Sequence, residues 1–455
     1  MPQLSTHPLA WVFATPAAFV TVILVAMHQS LIASSAYFLT QTITSYQDGQ
    51  ELKGPLALYL LSAILPIIPG CLSFATTQRW INAIHQKFAL AMASAVYGNL
   101  NEYRSTERQS AFESTISRNA FDVISSYARL FHDFLNLALN SVLSIAVIGV
   151  ILPSEIVLGY IISLTISIGL LCALSRTTKK CSAHAEKQYS EYGGTLHKAW
   201  DNAVLGNAYN YRLWLGEFNT NGSSYYASLQ RLAACRQFGN IAIASASLVP
   251  TAYLVYHLLV IDQIEAAVVA AIIVNLTRIF HILNSLGALV SALVAWTSAS
   301  ARLRDLSAFL RPPPTGELPS SPMGTITLNG ESVQDYPTVL DALRHRRCGR
   351  ITIRGENGAD KSTLLLSIKH AFPEQAYLLP AADHQLCWRS NHGNLSTGQR
   401  LRTIIDEILQ QGTEVRYLLL DEWDADLDPE NRYFIDQLLE TVSKARVVIE
   451  VPHQD

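Results

Sequence analysis

The stretch GENGADKST, Gly355 to Thr363, follows the pattern of a phosphate-binding loop, G-x-x-x-x-G-K-[ST], at every position but one. In such a loop successive backbone N–H groups surround the phosphates, and the lysine reaches the terminal ones. Lys361, Ser362 and Thr363 stand at the expected positions, but Asp360 replaces the glycine before the lysine. The stretch therefore predicts a nucleotide-binding domain with an altered loop.

The composition of the chain is typical of a membrane protein. Only 15% of its 455 residues are charged, and the mean hydropathy is +0.20. The formal net charge of -3 excludes a strongly basic nucleic-acid-binding protein, so we expect no nucleic-acid partner. The six cysteines form no C-x-x-C pair, which predicts free thiols in a reducing or intramembrane environment. This length exceeds what one hydrophobic core organises, so at least two domains are expected.

Six apolar segments are long enough to cross a bilayer, which requires roughly 20 residues each. They lie at residues 9–38, 55–77, 128–152, 155–175, 237–260 and 264–296. The first segment lacks the basic flank and the cleavage site of a signal peptide, so we expect it to remain as a membrane helix. Together they predict an all-α, six-helix transmembrane domain over residues 1–310.

The connections between these segments alternate in length, and the basic residues are concentrated in the two long ones. By the positive-inside tendency, the long connections, both termini and the chain beyond residue 300 face the cytoplasm. The long connections contain few Pro or Gly and carry apolar residues at helical spacing, as in WINAIHQKFALAMASAVYGNL (80–100). We therefore expect two cytoplasmic helical hairpins that carry motion from a soluble domain to the bilayer.

The composition changes after the sixth segment. RPPPTGELPSSPMG (311–324) is rich in Pro, Gly and Ser and predicts a linker. A strand, a glycine-bearing turn and a helix are the context that a phosphate-binding loop requires. Residues 325–455 predict an α/β domain with this context, with strands at 325–329, 350–354, 376–380 and 415–420 and a helix from 361 to about 370.

The stretch LSTGQR (395–400) predicts the beginning of a helix. Ser396 is positioned to cap this helix with its hydroxyl. Ser396 and Gly398 would then present hydrogen-bond donors to a second face of a nucleotide.

Two other stretches carry residues suited to phosphoryl transfer. VRYLLLDE ends an apolar strand with Asp421, which suits the coordination shell of Mg²⁺, and with Glu422, which suits orientation of an attacking water. The alternative for this pair is two ordinary surface acids. His453 follows the predicted strand VVIEV and can hydrogen-bond a terminal phosphate.

Taken together, these stretches resemble the ABC transporter superfamily, in the exporter arrangement of six membrane helices ahead of one ATPase domain. GENGADKST resembles the Walker A loop, LSTGQR the signature, YLLLDE Walker B, DADLD (424–428) the D-loop and His453 the switch histidine. LSTGQR followed by LLLDEWDADLDPENR is similar to bacterial exporters of cyclic peptides and peptide siderophores. The resemblance implies a location in the bacterial inner membrane.

The resemblance also implies ATP and Mg²⁺ as cofactors, with residue roles carried over from the motifs. Glu422 and His453 would be catalytic, and Ser362 and Asp421 would hold the metal. The nucleotide would contact Gly355, Asn357, Gly358, Lys361, Ser362, Thr363, Ser396, Gly398 and Gln399.

Two departures from the family pattern affect this domain. About 35 residues separate Lys361 from LSTGQR, where the family has a helical subdomain, so we expect that subdomain to be reduced. A carboxylate at residue 360, about 4 Å from a phosphate oxygen, would repel it by roughly 4 kcal/mol, or about three decades in affinity. We therefore expect weak nucleotide binding and impaired hydrolysis at this loop.

Polar residues interrupt several of the predicted spans. Asn275, Arg278, His281 and Asn284 recur at a spacing of three along the sixth segment, which predicts a substrate cavity. The alternative for Arg278 is a structural pair with Asp133 or another helix. Hydrogen bonds between helices are predicted for a second set of residues: Asp133, Asn136, Asn140, Tyr253, Tyr256 and His257.

The sequence thus predicts a half-transporter that exports a peptide-like or siderophore-like molecule. It would act as a homodimer or as a heterodimer with a second ABC half-transporter, embedded in membrane lipid. Three alternatives remain: a degenerate non-hydrolysing subunit that partners an intact half, a membrane immunity or binding protein without a power stroke, and a siderophore importer with exporter architecture.

Overall fold

A computed structural model describes most of the chain. The residues described are 8–100, 103, 105–151, 154–260, 266–308, 310, 326–333, 335–356, 360–380, 386–389, 395–411, 414–425 and 427–453. Contacts divide the chain into two compact units. One unit is Met1–Ala95 with Phe112–Pro312, and the other is Val96–Ala111 with Pro313–Asp455. The predicted linker, 311–324, lies outside the described residues.

The first unit is built from helices. Five helical segments in the described part are long and apolar enough to span a membrane, at Pro16–Gln47, Lys53–Val96, Ala120–Ile151, Ile161–His197 and Ala208–Val260. The sixth predicted segment falls on a further helix and stays a prediction as a membrane span. The helices are α1 Pro8–Phe13, α2 Pro16–Gln47, α3 Lys53–Ile64, α4 Ile67–Val96, α5 Thr106–Ser114, a π-helical turn Thr115–Asn119, α6 Ala120–Ile151, α7 Ser154–His197, α8 Ala199–Val204, α9 Ala208–Val260 and α10 Ala266–Ala308.

Capping sets the beginning of the first span later than the sequence predicted. The side chain of Thr15 accepts a hydrogen bond from the N–H of Ala18 at 3.3 Å, and Pro16 occupies the first helical position. The predicted segment 9–38 therefore corresponds to two helices, with the long one beginning at Pro16.

Proline also interrupts the second span, between α3 and α4. Pro66 cannot donate a backbone hydrogen bond and clashes with the preceding turn, so the helix breaks there. The Pro66 carbonyl lies 2.7 Å from Nδ1 of His28 on α2. Gly70 permits this approach, since a Cβ there would lie 2.9 Å from the His28 ring.

The long connections are helical, as the sequence predicted. Helix α7 runs on to His197, and α9 begins at Ala208, so the two form a long hairpin whose turn contains the short helix α8. Gly206 adopts a positive φ of 67° in this turn, a conformation that favours glycine.

The second unit contains a mixed six-stranded sheet in the order β2-β1-β3-β6-β5-β4. Strands β3, β6, β5 and β4 are parallel, and β1 and β2 extend the sheet in antiparallel fashion. The elements are β1 Ile326–Leu328, β2 Glu331–Val333, α11 Tyr336–His345, β3 Gly349–Gly355, α12 Lys361–Ala371, β4 Ala376–Leu379, α13 Thr397–Gln411, β5 Tyr417–Asp421, α14 Pro429–Ser443 and β6 Val447–Val451.

Both faces of the parallel sheet are covered by helices. Tyr417 and Leu419 of β5 pack with α11 and α12, whereas Leu418 and Leu420 pack with α13 and α14. This alternation follows from the two-residue period of a strand, and it explains why β5 is apolar throughout. Helix α12 ends at Ala371 and α13 begins at Thr397; of the intervening residues that are described, β4 alone forms regular structure, and the reduced helical subdomain stays a prediction.

Candidate functional site

The turn between β3 and α12 places Lys361 beside the end of the strand. Its Nζ donates hydrogen bonds to the carbonyl oxygens of Gly355, at 2.8 Å, and Glu356, at 3.3 Å. Both carbonyls belong to the loop itself, so the ammonium group is held where the loop turns. Asn357 and Gly358, predicted to contact phosphate, lie outside the described residues.

Asp360 occupies a left-handed backbone conformation immediately before α12. Its φ is 63° and its ψ is 27°, a region that glycine adopts without steric cost. Its Oδ1 accepts a hydrogen bond from the hydroxyl of Thr363 at 3.0 Å. The carboxylate therefore lies at the N-terminus of α12, where an anionic ligand would otherwise be favoured.

Ser362 and Asp421 form a direct contact between two of the predicted phosphate motifs. The Ser362 hydroxyl donates to Oδ1 of Asp421 at 3.2 Å. Strands β3 and β5 flank β6 in a parallel arrangement, so their carboxyl ends meet at one edge of the sheet. The fold therefore brings together two residues that are 59 positions apart.

Glu422 and His453 follow the carboxyl ends of β5 and β6. Glu422 has a φ of 45°, a strained value for a residue with a side chain, and its N–H donates to the Val451 carbonyl at 2.8 Å. The His453 N–H donates to Oδ1 of the buried Asp424 at 2.7 Å. Arg432 pairs with the other oxygen of Asp424 at 2.8 Å. These contacts fix the backbone on both sides of the strand ends.

The predicted helix at LSTGQR is α13, and its first turn is closed by a reciprocal pair of hydrogen bonds. The N–H of Gln399 donates to Ser396 Oγ at 3.4 Å, and the N–H of Ser396 donates to Gln399 Oε1 at 3.3 Å. This arrangement is a capping box. Gly398 is required for packing, because a Cβ there would lie 2.4 Å from the Asn431 side chain.

Tyr103 belongs to this unit although it is distant in sequence. It lies in the connection Val96–Ala111, which packs with the C-terminal part of the chain. Burial and then the negative charge of Asp421 raise the pKa of Tyr103 above its ordinary value. No signal in the sequence pointed to a tyrosine near this carboxylate.

A buried ion network joins β3 and β6 near the strand ends that carry the site. Glu450 is 3% exposed within β6 and accepts hydrogen bonds from Arg350 Nη2 at 2.8 Å, Thr352 Oγ1 at 2.9 Å and Trp423 Nε1 at 3.0 Å. Arg350 also pairs with Asp436 at 2.6 Å. Burial alone lowers the pKa of Arg350, but its acidic partners outweigh burial and raise it. An acid inside the apolar strand VVIEV was the sequence signal for this network.

This edge of the sheet carries two oxygen groups, the Ser362 hydroxyl and the Asp421 carboxylate. In the part of the chain that the structure describes, no group of three or more His, Cys, Asp or Glu residues could hold a metal. Ser362 and Asp421 offer a hydroxyl and a carboxylate, and Mg²⁺ typically takes one or two such ligands together with phosphate oxygens.

The predicted polar residues of the spans divide into two groups. Asn275 is buried and donates to Thr40 Oγ1 at 3.1 Å, whereas His281 and Asn284 are exposed. The side chain of Arg278 lies outside the described residues, so the cavity prediction stays a prediction.

Hydrogen bonds between helices are confirmed for two asparagines of α6. Asn136 accepts from Gln29 of α2 at 3.0 Å, and Asn140 donates to Ser285 of α10 at 3.0 Å. Asp133 contacts His132 of its own helix at 3.3 Å. Tyr253 and Tyr256 are exposed, and the His257 ring lies 6.1 Å from the Tyr253 ring of its own helix, so interhelical bonding of these three stays a prediction.

Comparison with known proteins does not assign the chain to a family. No model of a known protein family matches it, and no curated protein matches it.

Proposed function

We propose that this protein is half of an ATP-driven membrane transporter of the ABC exporter type, which exports a peptide-like small molecule. The contact between Ser362 and Asp421 carries the proposal. It joins the residue after the loop lysine to the carboxylate at the end of a buried strand, which is the pairing that a magnesium nucleotide site needs.

Three further features support this function. Five helical segments in the described part of the chain are suited to a membrane, and α7 and α9 extend well beyond the length that a bilayer requires. Lys361 is held next to the loop carbonyls, and Glu422 is held in a strained conformation at a strand end. Such strain is common in residues that take part in chemistry.

Each residue has a distinct role in the proposed reaction. Lys361 would exchange its bonds to the Gly355 and Glu356 carbonyls for bonds to phosphate oxygens. Glu422 would accept a hydrogen bond from the attacking water, and His453 would donate one to the terminal phosphate. Bound Mg²⁺ would offset the phosphate charge, with Ser362 and Asp421 as its protein ligands.

ATP hydrolysis by the full chain in lipid nanodiscs tests the proposal. We expect Lys361→Ala to remove ATP binding and Glu422→Gln to remove hydrolysis while binding is retained. Lys444→Ala and Glu430→Gln change exposed residues of the same unit and serve as matched controls. If Lys361→Ala binds ATP as well as the wild type, the proposed nucleotide site is wrong.

A non-hydrolysing subunit is the second candidate, and Asp360 favours it. Its carboxylate lies at the N-terminus of α12, where it repels phosphate. In that case the purified chain lacks ATPase activity, and a co-purified partner with an intact loop restores it. Tight cargo binding without any dependence on ATP would instead indicate a binding protein without a power stroke.

A further inference from the structure

Two cysteines on different helices face each other across the long hairpin. The sulfur atoms of Cys181 on α7 and Cys235 on α9 lie 3.3 Å apart, and both residues are half-buried. The other four cysteines, Cys71, Cys172, Cys348 and Cys387, are exposed. All six are free thiols, as the sequence predicted, but Cys181 and Cys235 are in contact.

The register of α7 and α9 is fixed on both sides of this pair. Toward one end, the hydroxyls of Ser163 and Thr251 are 3.2 Å apart. Toward the other end, the hydroxyls of Tyr192 and Tyr226 are 2.9 Å apart. The two thiols are thus held opposite each other within a continuous antiparallel interface.

We propose that Cys181 and Cys235 form a reversible redox pair that small-molecule disulfides convert into a covalent link between α7 and α9. A disulfide bond needs a sulfur separation of about 2.05 Å, so the sulfurs need to approach by little more than 1 Å. Side-chain rotation can supply such a movement. The proposal goes beyond the transport function and does not depend on it.

The chemistry is thiol–disulfide exchange with a disulfide such as oxidised glutathione. One cysteine thiolate attacks a glutathione sulfur, which forms a mixed disulfide and releases one glutathione thiol. The second cysteine attacks the protein sulfur of that mixed disulfide and releases the second glutathione thiol. The two cysteines lose two electrons and two protons, and one disulfide is reduced to two thiols.

The link would restrict the movement of the hairpin. A covalent bond between the two helices prevents them from sliding or separating at this level. A reducing cytoplasm keeps both thiols free, so the bond would form under oxidising conditions alone.

Mass spectrometry of the full chain in nanodiscs tests the proposal. After treatment with oxidised glutathione, alkylation and digestion, we expect one cross-linked peptide that contains both cysteines and has lost two hydrogens. Cys181→Ser and Cys235→Ser should each abolish it, whereas Cys172→Ser, an exposed cysteine on the same helix, should leave its yield unchanged.

Cys348, which is exposed and lies outside the candidate membrane spans, reports whether the oxidant reached the protein. The proposal is wrong if Cys348 becomes glutathionylated while Cys181 and Cys235 remain free, carry separate glutathiones or link two copies of the chain. A trivalent arsenical that bridges two thiols gives a second measurement without an oxidant. The arsenical should protect both cysteines of the wild type from alkylation. In each single variant it should leave the remaining cysteine of the pair open to alkylation.

Discussion

Asp360 combines two unfavourable features at one position of the loop. Its left-handed backbone costs a residue with a side chain about 1 kcal/mol. Its carboxylate would repel a phosphate about 4 Å away by roughly 4 kcal/mol. The bond from Thr363 holds that carboxylate at the N-terminus of α12. The repulsion between the carboxylate and a phosphate is therefore the larger of the two unfavourable energies.

We predict that Asp360→Gly strengthens ATP binding by up to about 1000-fold. The change removes the charge and places glycine where φ is 63°. Titration of the full chain with a fluorescent ATP analogue measures the affinity. Asp360→Asn serves as the matched variant, because asparagine tolerates the left-handed region without the charge. If Asp360→Asn leaves the affinity unchanged and Asp360→Gly raises it, conformation and not charge is the cause.

The residues of this site differ in how well the sequence predicted them. The resemblance of the loop to Walker A and of YLLLDE to Walker B implied that Ser362 and Asp421 share a metal ion, and the two residues are in contact. The proximity of Tyr103 to Asp421 was not predictable, because it depends on how a distant connection packs. The nucleotide contact of Gly398 stays a prediction, whereas its close approach to Asn431 gives it a packing role that the sequence did not predict.

At the scale of elements, β3 and β6 depend on the ion network around Glu450. The side chain of Arg350 is 19% exposed and that of Glu450 is 5% exposed, so loss of one partner leaves a buried charge uncompensated. The Trp423 indole also binds Glu450, which links the network to the turn that carries Glu422. The network therefore stabilises the strands and the turn that carry the site, although its own residues are not part of the site.

We predict that Arg350→Ala lowers the free energy of unfolding of the sheet by about 3–5 kcal/mol. Hydrogen exchange of the β3 and β6 amides in the full chain measures the loss. Arg344→Ala is the control, because its ion pair with Asp341 is exposed and should contribute less than about 1 kcal/mol. Equal losses in the two variants would contradict a buried network.

Helix α14 should lose stability in acid through its capping residue. Oδ1 of Asp428 accepts from the Asn431 N–H at 2.8 Å, and hydrogen bonds from the Asn431 backbone and side chain lower the pKa of Asp428. Because the pKa of Asp428 is lower in the folded state, its carboxylate stabilises α14 fully at pH values above 3.8, the pKa in the unfolded chain. This stabilisation is lost as the pH falls through the lower pKa of the folded state.

In the wild type we expect the α14 amides to lose protection from hydrogen exchange, corrected for intrinsic rates, when the pH is lowered beneath 3.8. Asp428→Asn should remove this part of the pH dependence, because asparagine caps a helix but does not titrate. Helix α13, which is capped by Ser396 and Gln399, provides an internal reference without an ionisable cap. An unchanged pH profile in Asp428→Asn would rule out this role.

Periodicity predicted most elements of the chain, and local chemistry decided where they end. The strands before the loop and before Asp421 are present, as is the helix from Lys361. Hydropathy did not reveal that Thr15 and Pro16 begin a new helix or that Pro66 divides the second span. Averaging over a window hides single residues that cap or break a helix.

At the scale of the whole molecule, the proposed function requires two copies or a partner. Ser362 of the loop contacts Asp421, whereas Ser396 caps α13 and bonds within its own turn. If the exposed Ser396 of one chain completes the nucleotide site of another, each nucleotide is held between two subunits. A symmetric dimer then contains two shared sites.

This sharing predicts complementation between two inactive variants in the Asp360→Gly background. Lys361→Ala destroys the loop, and Ser396→Arg blocks the exposed start of α13, so each variant alone should lack ATPase activity. Random mixing gives about half heterodimers, each with one intact site of two, so an equal mixture should recover about a quarter of the parent activity. ATPase assays on the co-expressed, co-purified variants measure this recovery.

A mixture of Lys361→Ala with Glu422→Gln is the control, because the two changes fall in the same half of the site. Their heterodimers contain no intact site, since each loop half carries one of the two defects. Recovery in the control, or none in the test mixture, would show that nucleotide sites are not shared between chains.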